Sequence, residues 1–297
     1  MISDRNTIPS KIFDTLNIAM MILLTLTFLY PFVYIFSASL SSFDELFKGT
    51  IVLLPKGGVQ FRAWVYTLRN ERIYIAYYNT IKYAVVGTFF TLLVTALTAF
   101  PLSNRNLKGR SAISIYFAFT MFFSGGLIPS YLLIMKLGWI DTIWAITVPG
   151  AIGIWNVIIF RTNFMQIPKD LTESIYIDGG GPWRALFYII IPLSKPVIAT
   201  IGLFTIVGHW NSFFGPFLYL RDANKMPLQV YLRSILIVAT SEEDAFRDDI
   251  HGFGSHAGYV IAIQMVSILV AIGPIVAAYP FIQKYFIKGL LIGSIKG

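Results

Sequence analysis

The chain has 297 residues, of which 56% are hydrophobic and 13% are charged, and its formal net charge is +8. This apolar fraction exceeds the roughly half that is typical of soluble domains, and it excludes a water-soluble globular protein. The lack of cysteine excludes disulfides, thiolate metal sites and a cysteine nucleophile. Lys and Arg lie mostly between apolar runs, a pattern typical of membrane-protein loops and not of nucleic-acid binding.

Six windows without charged residues follow one another along the chain. Each is long enough to cross about 30 Å of hydrocarbon as a helix. We therefore predict an all-α integral membrane protein with six transmembrane helices. No convincing small-residue cleavage site follows the first window, which favours a retained anchor over a signal peptide. The windows are residues 15–43, 83–104, 111–135, 142–160, 196–220 and 257–283.

The distribution of charge predicts that both termini are cytoplasmic. Short basic segments alternate with segments that are nearly neutral, and the positive-inside rule assigns the basic ones to the cytoplasm. The turn at residues 104–110, with Arg105, Lys108 and Arg110, is the strongest single indication. The predicted parts are a cytoplasmic N-terminus (1–14), a six-span domain (15–283) with external loops at about 44–82 and 221–256, and a cytoplasmic tail (284–297).

Proline and glycine occur inside several windows. Such residues are tolerated in a membrane where neighbouring helices, Ser or Thr side chains, or a water-lined cavity satisfy the freed backbone groups. They favour a bundle of broken helices over a simple anchor, with ordinary kinks as the alternative for any one of them. The residues are Pro31, Gly125, Gly126, Pro129, Pro149, Gly150, Gly153, Pro216, Gly273, Pro274 and Pro280.

The segment between the fourth and fifth windows predicts a short helix between two turns. Asp170 is placed to cap its start, with Glu173 three positions later as in a capping box. Residues 179–181 are glycines that permit the left-handed backbone closing a helix, and Pro182 suits the first turn of the next one. The helix is too short to be stable alone, so we expect it to dock on a partner.

The same segment resembles a known family. Glu173, Gly179, Ile189 and Pro192 follow the spacing of the EAA motif of ABC-importer permeases. The flanking stretches RTNFMQIP and IPLSKP are similar to the maltose-type carbohydrate branch of that family. The sequence departs from the motif where Ser174 and Ile175 replace two alanines, where Gly180 stands in place of a common alanine, and where Ile191 replaces a leucine.

The resemblance implies a type I ABC-importer permease in a bacterial cytoplasmic membrane, and not an enzyme. Its coupling helix, in a loop at about 165–187, would dock in a dimeric cytoplasmic ATPase that binds ATP and Mg. A homologous second permease and an extracytoplasmic solute-binding protein would complete the importer, and this chain itself would hold no cofactor or metal. The residues implied in ATPase coupling are Glu173, Ser174, Ile175, Asp178, Gly179, Gly180 and Pro192.

For two of these residues a local role is the alternative. For Glu173 the alternative role is to cap its own helix, and for Asp178 it is to form the turn. Pro192 and Pro196 predict a bend where the coupling segment enters the fifth span, because proline lacks a backbone donor.

Three further stretches bear on the cargo. The sequences FSGGLIP (123–129), GHWNS (208–212) and IKGLLIGSIKG (287–297) are similar to a subgroup that imports oligosaccharides or polysaccharides, including uronate-containing ones such as alginate or pectin fragments. A non-sugar solute stays an alternative, because the motif spacing reports coupling and not cargo.

A sugar route needs hydrogen-bonding groups and flat apolar faces at membrane depth. Interfacial anchoring of the tryptophan, and helix-to-helix hydrogen bonds of the amides, are the competing roles. The candidates are Asn156, His209, Trp210, Asn211, Ser212 and Gln264.

The resemblance implies that both long external loops contact the binding protein. The acidic run at 242–249 is better explained as a solvated face than as a specific contact. A proton-coupled secondary transporter is disfavoured because all six windows lack Asp and Glu. The chain has no GxxxxGK[ST] phosphate loop, so we expect ATP hydrolysis on a separate subunit.

Overall fold

The computed structural model describes residues 8–241 and 253–294, and within those ranges every regular element is helical. The predicted all-α class is confirmed. The α-helices are Ile8–Leu40 (α1), Phe43–Phe47 (α2), Arg62–Arg69 (α3), Glu71–Ser103 (α4), Arg110–Phe122 (α5), Leu127–Lys136 (α6), Ile143–Thr147 (α7), Ile154–Phe164 (α8), Lys169–Ile177 (α9), Pro182–Ala185 (α10), Ile191–Leu193 (α11), Lys195–Trp210 (α12), Phe214–Tyr219 (α13), Leu228–Ser241 (α14) and Phe253–Ser294 (α15). A π-helix covers Leu186–Ile190, and a 3-10 helix covers Ala223–Lys225.

Three described helices are long and apolar enough to cross a membrane, and the number rises to five if each of two bent pairs is one span. The long ones are Ser10–Leu40, Glu71–Ser103 and Ala257–Ala277. The bent pairs are Arg110–Phe122 with Leu127–Lys136, at 111°, and Pro182–Leu193 with Lys195–Trp210, at 81°. The count of six spans stays a prediction.

Glycine decides where the predicted spans break. Residues 111–135 do not form one helix, because α5 ends at Phe122 and α6 begins only after Gly126, which has φ +86°. The window 142–160 is split between α7 and α8, with Gly153 as the residue before α8. By contrast, Pro31 lies inside α1 without ending it.

The helix limits differ from the predicted loop limits at two places. The external loop predicted at about 44–82 includes the beginning of α4, which starts at Glu71. The tail at 284–297 continues α15 as far as Ser294. Residues 1–7, the acidic run 242–249 and residues 295–297 lie outside the described residues.

The chain forms two compact units, residues 1–71 with 232–274, and residues 72–231 with 275–297. In the first unit, buried side chains from the end of α1, from α2 and the loop after it, and from α3 pack against α15. They are Ala38, Leu46, Ile51, Ala63, Ala262 and Val266. In the second unit, α4, α8, the π-helix and α12 share a core around Phe160, which is fully buried.

Serines at the end of α1 fix the following loop in the first unit. The Ser37 hydroxyl donates to the Leu53 carbonyl at 2.6 Å, and the Ser41 hydroxyl accepts from the Lys56 N–H at 3.1 Å. These bonds satisfy loop backbone groups that would otherwise be buried without partners.

Gly258 of α15 provides a test of the first unit. A Cβ at this position would collide with the backbone of Phe43, which cannot move aside as a side chain could. Overpacking costs about 1–3 kcal/mol, which outweighs the roughly 1 kcal/mol that alanine gains over glycine in a helix. We expect Gly258→Ala to lower the midpoint of thermal unfolding of the detergent-purified protein.

The matched control is Gly273→Ala in the same helix, where no atom lies within 4 Å of the added Cβ. Its unfolding midpoint should be unchanged or slightly raised. Equal midpoints for the two variants would contradict the close approach of α15 to Phe43.

Candidate functional site

The short helix predicted after the fourth window is α9, and it begins differently from the prediction. Pro168 is the residue before the helix, and no side chain caps that end. Asp170 is already the second helical residue, so its carboxylate is not placed to cap the first amides. The predicted capping box of Asp170 with Glu173 is therefore wrong, because the extended backbone of Pro168 (ψ 131°) starts the helix earlier.

The end of α9 is closed by glycines, as the sequence predicts. Gly179 has φ +72° and its N–H donates to the Tyr176 carbonyl at 3.2 Å. The N–H of Gly180 donates to the Ile175 carbonyl at 2.7 Å. This pair of bonds is a Schellman motif. A Cβ on Gly180 would lie only 2.9 Å from the Ile175 carbonyl oxygen, so glycine is required there for space as well.

The segment from α9 to α12, residues 169–210, is bent, and we call it the bent lever. Pro182 is the first residue of α10, with Gly181 before it, as expected. A π-helix precedes Pro192, whose missing N–H and bulky ring disturb the regular hydrogen-bond ladder. At Ser194 the axis turns by 81° into α12. The bend predicted from Pro192 and Pro196 is present at this point.

The π-helix of the lever is buried in the core, whereas α9 is exposed. Leu186 and Ile190 of the π-helix are 2% and 3% exposed and belong to the core around Phe160. On α9, Ile177 is 85% exposed and Leu171 is 43% exposed. The helix therefore presents apolar side chains that no described part of its unit covers.

The other residues implied in coupling lie on or beside the same element. Ile175 is half-buried beside Gly180, while the charged and hydroxyl side chains point to solvent. The exposed ones are Glu173, Ser174 and Asp178.

Within the second unit, segments predicted to lie on the same side of the membrane meet each other. On the predicted inner side, the Arg110 guanidinium donates to the Leu102 carbonyl at 2.9 Å and contacts the Met165 sulfur at 3.4 Å. On the predicted outer side, the Asn79 amide donates to the Asn224 carbonyl at 2.7 Å. The assignment of these two groups to opposite sides of a membrane stays a prediction.

Asp141 organises the outer group. It is a non-glycine residue with φ +61°, and its carboxylate accepts from the backbone N–H groups of Arg221 and Asp222 at 3.1 and 3.2 Å. The Lys225 ammonium donates to the other carboxylate oxygen at 2.8 Å. The hydrogen bond from Lys225, helped by the two backbone donors, holds the pKa of Asp141 below its usual range. The same hydrogen bond raises the pKa of Lys225.

Sequence reasoning missed Asp141 as a structural centre. Asp141 borders a charge-free window, and its backbone conformation cannot be read from its neighbours in the chain. The one available signal was the Gly138 turn that ends α6 just before it, which marks a sharp change of direction.

The candidate route residues fall in separate places. The His209 ring packs directly over Gly87 of α4, where a Cβ would collide with it. The Trp210 ring lies 6.3 Å from the Tyr77 ring, and its indole nitrogen is buried without a hydrogen-bond partner among the described residues. Asn211 is exposed at the end of α12, and Ser212 is half-buried after it.

Asn156 lies elsewhere in the same unit. It lines a groove of about 570 Å³ between α8 and α12, together with polar Thr162 and Thr200 and the aromatic ring of Phe204. His209 to Ser212 do not line this groove. Gln264 is a half-buried residue of the first unit.

Comparison with known proteins gives one consistent result. The sequence model of the family described as "Binding-protein-dependent transport system inner membrane component" matches residues 2–291. The chain is 37% identical over 288 residues to the polygalacturonan/rhamnogalacturonan transport system permease protein YtcP of Bacillus subtilis, covering 97% of this chain and 99% of YtcP. It is 39% identical over 294 residues to protein LplC of the same organism, covering 98% and 97%.

A solved structure is also similar. It is the crystal structure of a bacterial ABC transporter involved in the import of the acidic polysaccharide alginate. One of its chains superposes with a TM-score of 0.81 and 31% identity, over 94% of this chain and 98% of that one. These similarities confirm the resemblance that the EAA spacing indicated.

The Asp141 cluster predicts a defined dependence on pH. Because the pKa of Asp141 is lowered by folding, the carboxylate stabilises the folded state fully above the ordinary aspartate pKa. This stabilisation is lost as pH falls through the lowered pKa. Because the pKa of Lys225 is raised, the stabilisation that its ammonium group gives to the folded state is lost only as pH rises through the raised pKa. We expect amide-exchange protection at residues 221–225 to be constant between these limits and to fall outside them.

In Asp141→Asn that protection should be reduced at neutral pH, and its loss in acid should disappear. The control is Asp44→Asn, which removes an exposed carboxylate from α2. If the loss of protection in acid persists in Asp141→Asn, a group other than Asp141 causes it.

Proposed function

Because the chain belongs to the family of inner membrane components of binding-protein-dependent transport systems, we propose that it is a permease subunit importing oligosaccharides or polysaccharides, with uronate-containing fragments as the preferred cargo. The observation that carries the proposal is the bent lever from α9 to α12. It joins an exposed short helix to the core of the membrane-spanning helices without a flexible linker.

The lever has the properties of a coupling element. The Schellman turn fixes the direction of α9 relative to α10, and burial of Leu186 and Ile190 fixes the lever against the core around Phe160. A force on α9 must therefore move α12 or the core, since the connection holds no slack. Closely packed interiors respond to such a force by shifting as units.

The exposed face of α9 suits a protein partner. Ile177 and Leu171 offer apolar area, while Glu173 offers a carboxylate for a basic group on that partner. An exposed apolar patch with a polar rim is typical of an interaction site. We assign this surface to a separate dimeric ATPase that binds ATP and Mg and hydrolyses ATP, with the residues implied by the EAA spacing as its contacts.

The cargo assignment is supported by the relatives. YtcP is named for polygalacturonan and rhamnogalacturonan transport, and the similar crystal structure is of an importer of the acidic polysaccharide alginate. We propose that cargo passes between this chain and a homologous second permease, along Asn156 and the stretch from His209 to Ser212 of the second unit. An extracytoplasmic binding protein delivers it, and both termini lie in the cytoplasm.

The proposal is tested by ATP hydrolysis of the assembled importer. The chain would be purified with its operon-neighbour permease, ATPase and binding protein, reconstituted in lipid, and supplied with neutral or uronate oligosaccharides. We expect one class of sugar to stimulate hydrolysis severalfold, and only when the binding protein is present. Failure to assemble with the ATPase, or a rate indifferent to every sugar, would overturn the proposal.

Gly179 tests the lever itself. A valine there must adopt φ +72°, which costs about 1–2 kcal/mol for an L-residue and more for a branched one. We expect Gly179→Val to leave insertion and assembly intact but to uncouple hydrolysis from sugar uptake, because α9 is redirected. Uptake and hydrolysis would be measured together in proteoliposomes.

The matched control is Gly181→Ala, two residues away. Gly181 has φ −94° and no atom within 4 Å of an added Cβ, so alanine fits there without strain. Gly181→Ala should couple normally. Normal coupling in Gly179→Val as well would refute the role of the turn.

A further inference from the structure

A basic and aromatic cleft lies in the first unit, between α3 of the predicted external loop 44–82 and the first residues of the sixth predicted window. Its volume is about 600 Å³, and it is lined by one face of α3 together with the Tyr259 ring of α15. This volume falls in the usual range for small-molecule sites, about 300–1,000 Å³. None of the candidate route residues lines the cleft.

The face of α3 is built by helical spacing. Arg62, Tyr66 and Arg69 recur at intervals of four and three residues, so they share one side of the helix, and all three are exposed. The opposite side buries Ala63 and Thr67. The charged face is therefore free to contact a ligand, while the other face holds α3 in place.

The arginines are available for a carboxylate. Arg62 lies over the Tyr259 ring, 5.9 Å from its centroid, a contact that leaves the edge of the guanidinium open. Within residues 8–241 and 253–294, neither Arg62 nor Arg69 makes an ion pair with an acid. The two arginines are seven positions apart, about 10.5 Å along the helix axis, so together they address two carboxylates and not one.

The tyrosines supply what a sugar ring needs. The rings of Tyr66 and Tyr259 meet edge to face, with centroids 6.0 Å apart, and together they wall the cleft with flat apolar surface. Aromatic faces pack against the apolar faces of pyranose rings, and guanidinium groups bind carboxylates in a bidentate way. Repeated carboxylates on a chain of flat rings are the chemistry of an oligouronate.

We propose that this cleft binds the uronate units of an acidic oligosaccharide on the extracytoplasmic side, with Arg62 and Arg69 each holding a carboxylate and Tyr66 and Tyr259 packing against the rings. The inference rests on the proposed function for the class of cargo. It adds a site outside the membrane-depth route and gives this chain its own selectivity for charge.

The test is direct binding to the complete importer without its binding protein, in nanodiscs of phosphatidylcholine. The probe is fluorescently labelled tetragalacturonate, and its fully methyl-esterified form serves as the neutral analogue. We expect the acidic probe to bind, and the double variant Arg62→Gln/Arg69→Gln to weaken its binding by about tenfold or more. The affinity of the Arg62→Lys/Arg69→Lys variant should lie between those of the wild type and the glutamine variant. Lysine keeps the positive charge but cannot make the bidentate hydrogen bonds of a guanidinium.

The matched control is Lys82→Gln/Lys136→Gln, which removes two exposed positive charges from the same predicted side but outside the cleft. It should bind as the wild type does. Equal affinities of wild type and the double arginine variant would overturn the proposal, and so would equal binding of the acidic and esterified probes. Loss of co-purifying anionic lipid from the arginine variant, with unchanged glycan affinity, would reassign the cleft to lipid headgroups and overturn it as well.

Sugar-stimulated ATP hydrolysis separates this proposal from the proposed function. If sugar stimulates hydrolysis but the arginine changes leave glycan affinity unaffected, the cleft proposal is rejected and the importer proposal stands. If no sugar stimulates hydrolysis, the importer proposal is rejected, and the cleft proposal is rejected with it if the cleft also binds no glycan.

Discussion

The burial of Phe160 is the constraint on which the second unit depends. Its ring lies in one apolar cluster with side chains of α4, the π-helix and α12, so four elements share a single core. Two of those side chains, Leu186 and Ile190, belong to the segment that carries α9. A close-packed core of this kind moves as a body and does not deform gradually. The exposed short helix and the spanning helices are therefore mechanically continuous.

Interruptions of helical regularity set the geometry around that core. New helices begin directly after Gly126 and Gly153, and a π-helix precedes Pro192 and the bend at Ser194. Each interruption frees backbone groups, which a membrane tolerates only where protein or a lined cavity satisfies them. Pro31, inside the unbroken α1, shows that proline alone does not decide the outcome.

The two ends of the second unit are held by different interactions. The predicted cytoplasmic end relies mainly on apolar burial, whereas the predicted outer end relies on hydrogen bonds around Asp141. Charge-assisted hydrogen bonds to a carboxylate are stronger than neutral ones and are directional. They fix residues 221–225 beside the turn at Asp141 without a large apolar core. In the first unit, the serines at the end of α1 hold a loop in a similar way.

The sequence by itself determined the all-helical membrane class, the short helix after the fourth window, the glycine turn at Gly179 and the bend before α12. Each of these depends on local properties: length of apolar runs, backbone freedom of glycine and the missing donor of proline. Only the tertiary structure decided that Asp141 binds the backbone of residues 221 and 222, and that His209 packs on Gly87. These features depend on contacts between residues far apart in the chain, and no local pattern of residues encodes which distant backbone a side chain will meet.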